Sequence, residues 1–387
     1  MEKNNMNKFK VSVCIPYKQR LENLKIVFEA LVDQTMPSSE FEVIIGAMEY
    51  SKEFLELCLN FSNKINITSV VTGRDFSIPS ARNLAMRQAT GSIIVQMDAD
   101  SLLTKTSLDN LYNRHFAFTQ QICVVGQVVG YGNNNDGSVT TVDHLEYKHY
   151  KKHLDELENF VGIPRDPRFQ VPHIVPWAFG WTGFIALPLT LIKKYNLFFD
   201  EDFHGWGVDD LEWSYRICNA GIPIVLCEDI RAIHLPHVRD QQINQQSEKK
   251  NYKYFLKKWP CIDVELAHSF GDVKANELFI SFSQELKRIT NSDNIHLAVV
   301  SGKSNNKNIL IVGVEIKDGE IIDHNIITMF DNSSQIEVLH LIGMALPYED
   351  KEFIECRVLS PILKFSTLYR EKIDLELLRV AQKIINI

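Results

Sequence analysis

The strongest constraint in this chain lies between residues 11 and 97, where short β-rich apolar runs alternate with stretches of helical periodicity. Residues 11–16 (VSVCIP) are a β-rich run closed by proline and read as a buried strand. Residues 22–34 then place apolar side chains at 24, 27, 28 and 31, the spacing of one helix face. The pattern repeats with a strand at 42–47, a helix at 52–61, a strand at 66–72, a helix at 78–91 and a strand at 92–97. Pro79 sits in the first turn of the third helix and Gly91 just past its end. Parallel neighbours need a crossover, and a right-handed crossover lays its helix over the sheet. This order therefore predicts an α/β fold with a mostly parallel sheet sandwiched by helices. Ligands of such sheets lie beyond the carboxyl ends of the strands. Pro16-Tyr17 and Asp98-Ala99-Asp100 stand at those ends.

A chain of 387 residues exceeds what one core usually spans. The sequence predicts a main domain over 8–260 and a smaller C-terminal accessory α/β domain over 261–387. Within the first, helices are expected over 107–118, 144–160, 209–221 and 247–259, and strands over 122–132, 181–188, 222–227 and 230–235. Residues 162–176 hold four prolines and read as an ordered loop. In the second, strands are expected over 296–302 and 308–325, with a hairpin turn at Asp318-Gly319, and helical patterns over 335–346 and 371–385.

The formal net charge of −8 argues against a general nucleic-acid binder. The seven cysteines are scattered singly with no CxxC pair, which points away from a zinc motif and toward reduced thiols and a cytoplasmic location. The N-terminus shows no apolar signal core. The longest apolar stretch, 177–192, is broken by Gly180, Gly183 and Pro188, so it reads as core and no transmembrane segment is expected. The basic helix at 249–259 reads as an amphipathic surface helix packing Tyr252, Phe255, Leu256 and Trp259 inward; peripheral membrane contact is the alternative.

Three stretches carry chemistry. Asp98 and Asp100 offer paired carboxylates to a hard divalent ion, Mn²⁺ or Mg²⁺, of the kind that bridges protein to diphosphate. Residues 205–213 (GWGVDDLEW) put Asp209, Asp210 and Glu212 at a helix start. Unpaired backbone N–H groups favour acids there, by about 0.3–1 kcal/mol each. Gly205 and Gly207 permit a tight turn, and Trp206 offers a flat apolar face to a sugar ring. In HLPH, His237 is the favoured further nitrogen ligand for the same ion, with His234 the second candidate.

VSVCIPY together with IPSARNLAMRQATGSIIVQMDAD resembles the nucleotide-sugar-binding half of GT-A fold (Rossmann-like) glycosyltransferases, in particular glycosyltransferase family 2, over about residues 10–130. WTGFIAL, FDEDFHGWGVDDLEWSYR and HLPHVRD resemble the second half of galactosyltransferase-type GT-A enzymes, over about 176–240. The resemblance divides the main domain into a donor half, about 8–130, and an acceptor half, about 131–260. It implies donor contacts from Pro16, Tyr17, Arg82, Asn83 and Asp98, with Glu49 the nearest counterpart of an acid that the family places after its second strand. It implies metal ligation by Asp98, Asp100 and His237, acceptor contacts from Trp206 and Asp209, and Asp210 as catalytic base. The loop charges Arg20, Arg74 and Asp75 are further candidates to face the donor. The function implied is an inverting, metal-dependent transfer from a UDP-sugar to a glycan, lipid-linked or peptide acceptor. A retaining transferase and a non-catalytic carbohydrate-binding or scaffold protein are the alternatives. A nucleotidyltransferase is disfavoured because PYKQRLEN lacks the glycine-rich phosphate loop. Asp209 and Asp210 are left able to exchange roles.

Overall fold

The computed structural model describes residues 9–130 and 137–387. Residue 8 at the expected domain start, and residues 131 and 132 of the strand expected over 122–132, lie outside them. The chain divides into two compact units, Met1–Val171 with Pro176–Asn251, and Pro172–Val175 with Tyr252–Ile387.

The first unit opens with β1 (Phe9–Tyr17), α1 (Leu21–Val32), β2 (Phe41–Ala47), α2 (Lys52–Phe61), β3 (Asn66–Val71), α3 (Ile78–Met86) and β4 (Gly91–Gln96). It continues through β5 (Ser101–Leu103), α4 (Ser107–Asn110), β6 (Cys123–Gly130), α5 (Tyr147–Glu158), β7 (Ile185–Pro188), α6 (Leu189–Tyr195), α7 (Asp209–Asn219) and β8 (Ile224–His234) into α8 (Gln241–Lys258), which crosses the division. The sheet runs β3-β2-β1-β4-β7-β6-β8-β5. β1 pairs β2 and β4 in parallel, β2 pairs β3 in parallel, and β7 runs antiparallel to its neighbours β4 and β6.

Strand alternation explains why this sheet has a core on each face. Val13, Ile15, Val43, Ile45 and Val95 pack in one cluster with Leu24, Val27 and Phe28 of α1. Cys14, Ile44 and Ile94 point the other way, into a cluster with Ile192, Trp213 and Ile217. The residues of β1 from Val11 to Ile15 are fully buried. The fit of α3 against the sheet is close: a Cβ on Gly46 would lie 2.0 Å from the Ala81 carbonyl oxygen. That contact fixes the helix that carries Arg82. Ser51 and Ser77 cap α2 and α3 by accepting from the amides of Phe54 and Ser80.

The strands expected at 222–227 and 230–235 are a single strand, β8, interrupted by a bulge. The basic helix begins earlier than its sequence suggests, at Gln241. No described helix is long and apolar enough to cross a membrane.

The second unit adds α9 (Ile262–Phe270), α10 (Asp272–Thr290), β9 (His296–Ser304), β10 (Lys307–Lys317), β11 (Glu320–Ile321), β12 (Glu337–Leu339), β13 (Phe353–Val358), α11 (Thr367–Val380) and β14 (Ala381–Asn386). Its sheet runs β12-β9-β10-β13-β14, with β11 on β10. Asp318 and Gly319 both take positive φ, as a tight hairpin turn between β10 and β11 requires. The helical pattern at 335–346 forms no helix. Instead, residues 337–339 pair as β12, and the Glu265 carboxylate then accepts from the amides of Ile342, Gly343, Met344 and Ala345 and holds those residues as a loop.

Candidate active site

The acidic strand end and the acidic helix start meet on one guanidinium. Arg82, almost fully buried, bonds Asp98 Oδ1 at 3.1 Å through Nη2. The same nitrogen reaches the Thr182 hydroxyl, and Nη1 pairs with Asp209 Oδ2. Residues about a hundred positions apart thereby share one charge network. Burial pushes the Asp209 carboxyl up to about 6; Arg82 opposes the shift, and Asp210 and Asp98 add to it. Burial likewise raises Asp210, again against Arg82.

The two adjacent acids are differently engaged. Asp209 is buried and held by Arg82. Asp210 makes no ion pair among the described residues; Oδ2 accepts from the Thr182 amide and hydroxyl at 3.3 and 3.4 Å, and Oδ1 from the Leu211 amide at 2.9 Å. Glu212 is fully buried and pairs with Arg216 at 2.9 Å. It is a structural residue of α7.

The turn before α7 takes three positive φ angles, 77° at Gly205, 97° at Gly207 and 57° at Val208. A β-branched residue in that region is strained, at a cost on the order of 1–3 kcal/mol. The turn is held from α8. Ser247 Oγ accepts from the Trp206 amide at 2.8 Å and donates to the His204 carbonyl at 3.0 Å. Asn251 Nδ2 donates to the carbonyls of His204 and Gly207, both at 3.0 Å. A Cβ on Gly205 would fall 2.0 Å from Ser247 Oγ, so glycine is required there twice over. The backbone is fixed while the Trp206 side chain stands 47% exposed, which makes it a surface platform rather than a core anchor. Glu248, next to Ser247, has its carboxyl raised by burial and by the nearby Asp210.

A second cluster lies just beyond. Asp100 has no solvent exposure; His237 Nε2 lies 3.5 Å from its Oδ2 and His234 Nε2 3.6 Å from its Oδ1. Arg20, from the β1–α1 loop, pairs with Oδ2. Burial works to raise this carboxyl, but Arg20, His234 and His237 hold it below its ordinary value. One ligating atom from each of Asp100, His234 and His237 lies within 4.8 Å of the others, and Asp100 Oδ1 is buried with no hydrogen-bond partner. One oxygen and two imidazole nitrogens gathered in this way fit a divalent ion. Asp98 stands on Arg82, outside this cluster.

The remaining candidates are placed differently. Tyr17 is buried and stacks on Phe54 at 4.4 Å, inside the core. Pro16 beside it is partly exposed. Glu49 accepts from the Gln19 amide at 2.6 Å and ties two strand-end loops together. Asn83 is buried and bonded throughout to protein: it donates to the Phe199 carbonyl and to Glu201, and accepts from the Phe199 amide. Arg74 and Asp75 are exposed. Sequence reasoning missed Thr182, Ser247, Glu248 and Asn251, whose types and spacings carry no signal of their own.

Residues 12–168 match the family described as Glycosyl transferase family 2. The chain is 25% identical over 283 residues to validoxylamine A glucosyltransferase of Streptomyces hygroscopicus subsp. jinggangensis (strain 5008), covering 69% of this chain and 67% of that protein. It spans 62% of the corresponding protein of S. hygroscopicus subsp. limoneus. It is 27% identical over 109 residues to cholesterol galactosyltransferase of Borreliella burgdorferi (strain ATCC 35210 / DSM 4680 / CIP 102532 / B31), covering 28% of this chain and 30% of that one. Among solved structures, S. aureus TarS 1-349 in complex with UDP-GlcNAc aligns with 65% of this chain and 66% of its own at 14% identity, with a TM-score of 0.47. The matched segment takes in the strand–helix alternation and the Asp98–Asp100 turn, and it is in this segment that the chain resembles the family 2 glycosyltransferases.

Proposed function

We propose that this enzyme transfers a sugar from a nucleotide-sugar donor, UDP-linked, to an acceptor hydroxyl with inversion at the anomeric carbon. The observation that carries the reading is the Arg82 bridge. It draws Asp98, at the donor-side strand end, and Asp209, at the acceptor-side helix start, into one site and leaves the neighbouring Asp210 near Arg82 but without a direct ion pair to it. A carboxylate held only by Thr182 and a backbone amide is the one free to take a proton. Asp210 is therefore the base. Asp209, paired with Arg82, positions the acceptor, and this pairing supports Asp210 over Asp209 for the role of base.

In the proposed step the acceptor oxygen forms its bond to the anomeric carbon as the bond to the diphosphate breaks. The acceptor proton passes to an Asp210 carboxylate oxygen, and the electron pair leaves with the nucleoside diphosphate. Trp206 offers the stacking face for the acceptor sugar. Asp100, His234 and His237 are the residues that would hold a divalent ion, with Asp98 beside them on the donor side; such an ion supplies positive charge to the leaving diphosphate. Pro16 borders the nucleobase of the donor, while Tyr17, Glu49 and Asn83 shape the site through the core and the loops they tie. The acceptor class remains a glycan, a lipid-linked glycan or a peptide side chain. The reaction is placed in the cytoplasm, as the singly scattered cysteines of the sequence suggest.

The test is a screen of nucleotide sugars with Mn²⁺ or Mg²⁺, following donor hydrolysis and transfer in wild type, Asp100→Ala and Asp210→Asn, with the product anomer read by NMR. Asp100→Ala should lose Mn²⁺ binding in calorimetry together with hydrolysis. Asp210→Asn should bind donor normally and fail in transfer. Unchanged Mn²⁺ binding in the first overturns the metal assignment, full transfer in the second overturns the base, and a retained anomer overturns inversion.

A further inference from the structure

Two irregularities of the backbone converge at the far end of β8. The helix that starts as α4 widens into a π-helical turn over Leu111–Phe116, and this turn carries His115. Opposite it, the β6–β8 register advances from Gly126↔Cys227 to Gln127↔Arg231, so that residues 228–230 bulge out of β8. Both kinds of distortion re-aim side chains and are common at functional positions. Here they bring together Cys227, His115 and Asp229, with one ligating atom of each within 4.8 Å of the others.

The contacts are ordered in a line. Cys227 Sγ lies 3.6 Å from His115 Nδ1, and His115 Nε2 lies 3.0 and 3.2 Å from the two oxygens of Asp229. A carboxylate on Nε2 accepts the proton carried there and leaves the Nδ1 lone pair facing the sulfur. This is the arrangement in which a carboxylate fixes the tautomer of a metal-bound imidazole. With metal–sulfur and metal–nitrogen bonds of about 2.3 and 2.0 Å, the sulfur–nitrogen edge of a tetrahedral zinc site is about 3.5 Å. The separation found is thus already that of two ligands.

The group is held in place. The bulge is pinned by Arg231 Nε donating to the Glu228 carbonyl at 2.8 Å, by Asn110 Nδ2 donating to the Asp229 carbonyl at 2.8 Å, and by the fully buried Ile230. Cys227 is buried, but the His115 and Asp229 side chains are 21% and 25% exposed, which gives an ion and its waters a way in. Arg114 also touches Asp229, at 3.2 Å, from a largely exposed position. Along β8, Cys227 precedes His234 by enough residues to stand on the order of 15–20 Å from the Asp100 cluster, toward the other end of the strand. Nothing in the proposed transfer uses it.

We propose that Cys227 and His115 bind a thiolate-accepting divalent cation of the zinc class, with Asp229 as the positioning carboxylate and water in the remaining positions. Binding replaces the Cys227 S–H bond with a sulfur–metal bond and releases the proton to solvent. The site clips the π-helical turn to β8.

The test uses the full chain and Co²⁺, whose thiolate-to-metal charge-transfer band reports sulfur ligation. The Asp100 cluster contains no thiol and gives no such band. Wild type should develop a band that saturates with added Co²⁺, and Zn²⁺ should abolish it by displacement. Cys227→Ser and His115→Gln, with circular dichroism checking that they fold, should show no band. Asp229→Asn should keep the band with an affinity weaker by about 10–100-fold. In wild type, Zn²⁺ should also raise Tm, by an increment absent in Cys227→Ser. No band in wild type, or an unchanged band in Cys227→Ser, overturns the proposal; an unaltered affinity in Asp229→Asn overturns the part given to the carboxylate.

Discussion

At the scale of single residues, two neighbouring acids in one helix turn are held differently because one pairs directly with a guanidinium and the other accepts only from a threonine and a backbone amide. Asp210→Asn should lower transfer by about 10²–10⁴-fold with little change in donor binding, measured by single-turnover kinetics and donor titration. Its pH dependence has a definite sign. Burial raises the Asp210 carboxyl, and the base works only when ionised, so kcat/KM should fall as pH drops through a value above the ordinary carboxylate range. An acid limb at the usual aspartate value would contradict that. Trp206→Ala should raise the acceptor KM several-fold while leaving donor hydrolysis and Tm almost unchanged, because its side chain is half exposed. Arg82→Met leaves Asp209 buried without its cation. It should cost roughly 3–5 kcal/mol of stability in urea melts of the folded chain.

At the scale of elements, the site depends on a clamp as much as on its acids. Asn251→Ala removes donors to the His204 and Gly207 carbonyls and should destabilise the chain by about 1–3 kcal/mol. It should also lower kcat more than it raises donor KM, while Asn251→Gln recovers little because the longer side chain misplaces the amide. Equal loss in both parameters would point to general unfolding instead. The alternating elements from β1 to β4 were legible because each strand and helix there carries its own periodicity. Asp98, Asp100, Asp209, Asp210 and His237 were legible because each sits at a strand end or helix start. Ser247 and Asn251 were not, since a serine and an asparagine one turn apart on a polar helix look like ordinary surface residues. Asn83 shows the converse. The family resemblance implies a donor contact from Asn83, while in the structure its amide bonds Phe199 and Glu201, a pairing made more than a hundred residues away.

At the scale of the whole molecule, the second unit shows how tertiary contacts override local pattern. The helical periodicity at 335–346 gives way to strand β12 and a loop, because β9 pairs residues 337–339 and Glu265, buried in α9, gathers the amides of residues 342–345. Burial pushes this carboxyl up to about 7, although four amides act the other way. A carboxyl raised in the folded state stabilises fully below its unfolded value, and the contribution is lost as pH rises through the folded one. Melting of the second unit should therefore fall between about pH 5 and 8, and Glu265→Gln should flatten that slope while lowering Tm throughout. A slope unchanged in the variant would assign the pH dependence to other groups. Periodicity misled in this segment because the partner that decides its conformation lies seventy-odd positions earlier.

The clamped turn at 204–208 has a practical consequence for changing what the enzyme accepts. Its backbone is fixed by Ser247 and Asn251, so the identity of residue 206 is decoupled from the path of the chain around it. A library randomised at Trp206 alone should remain folded in nearly every member and vary mainly in acceptor preference. A library that also randomises Gly205 should collapse unless Ser247 is varied with it, because the added Cβ and the serine oxygen claim the same space.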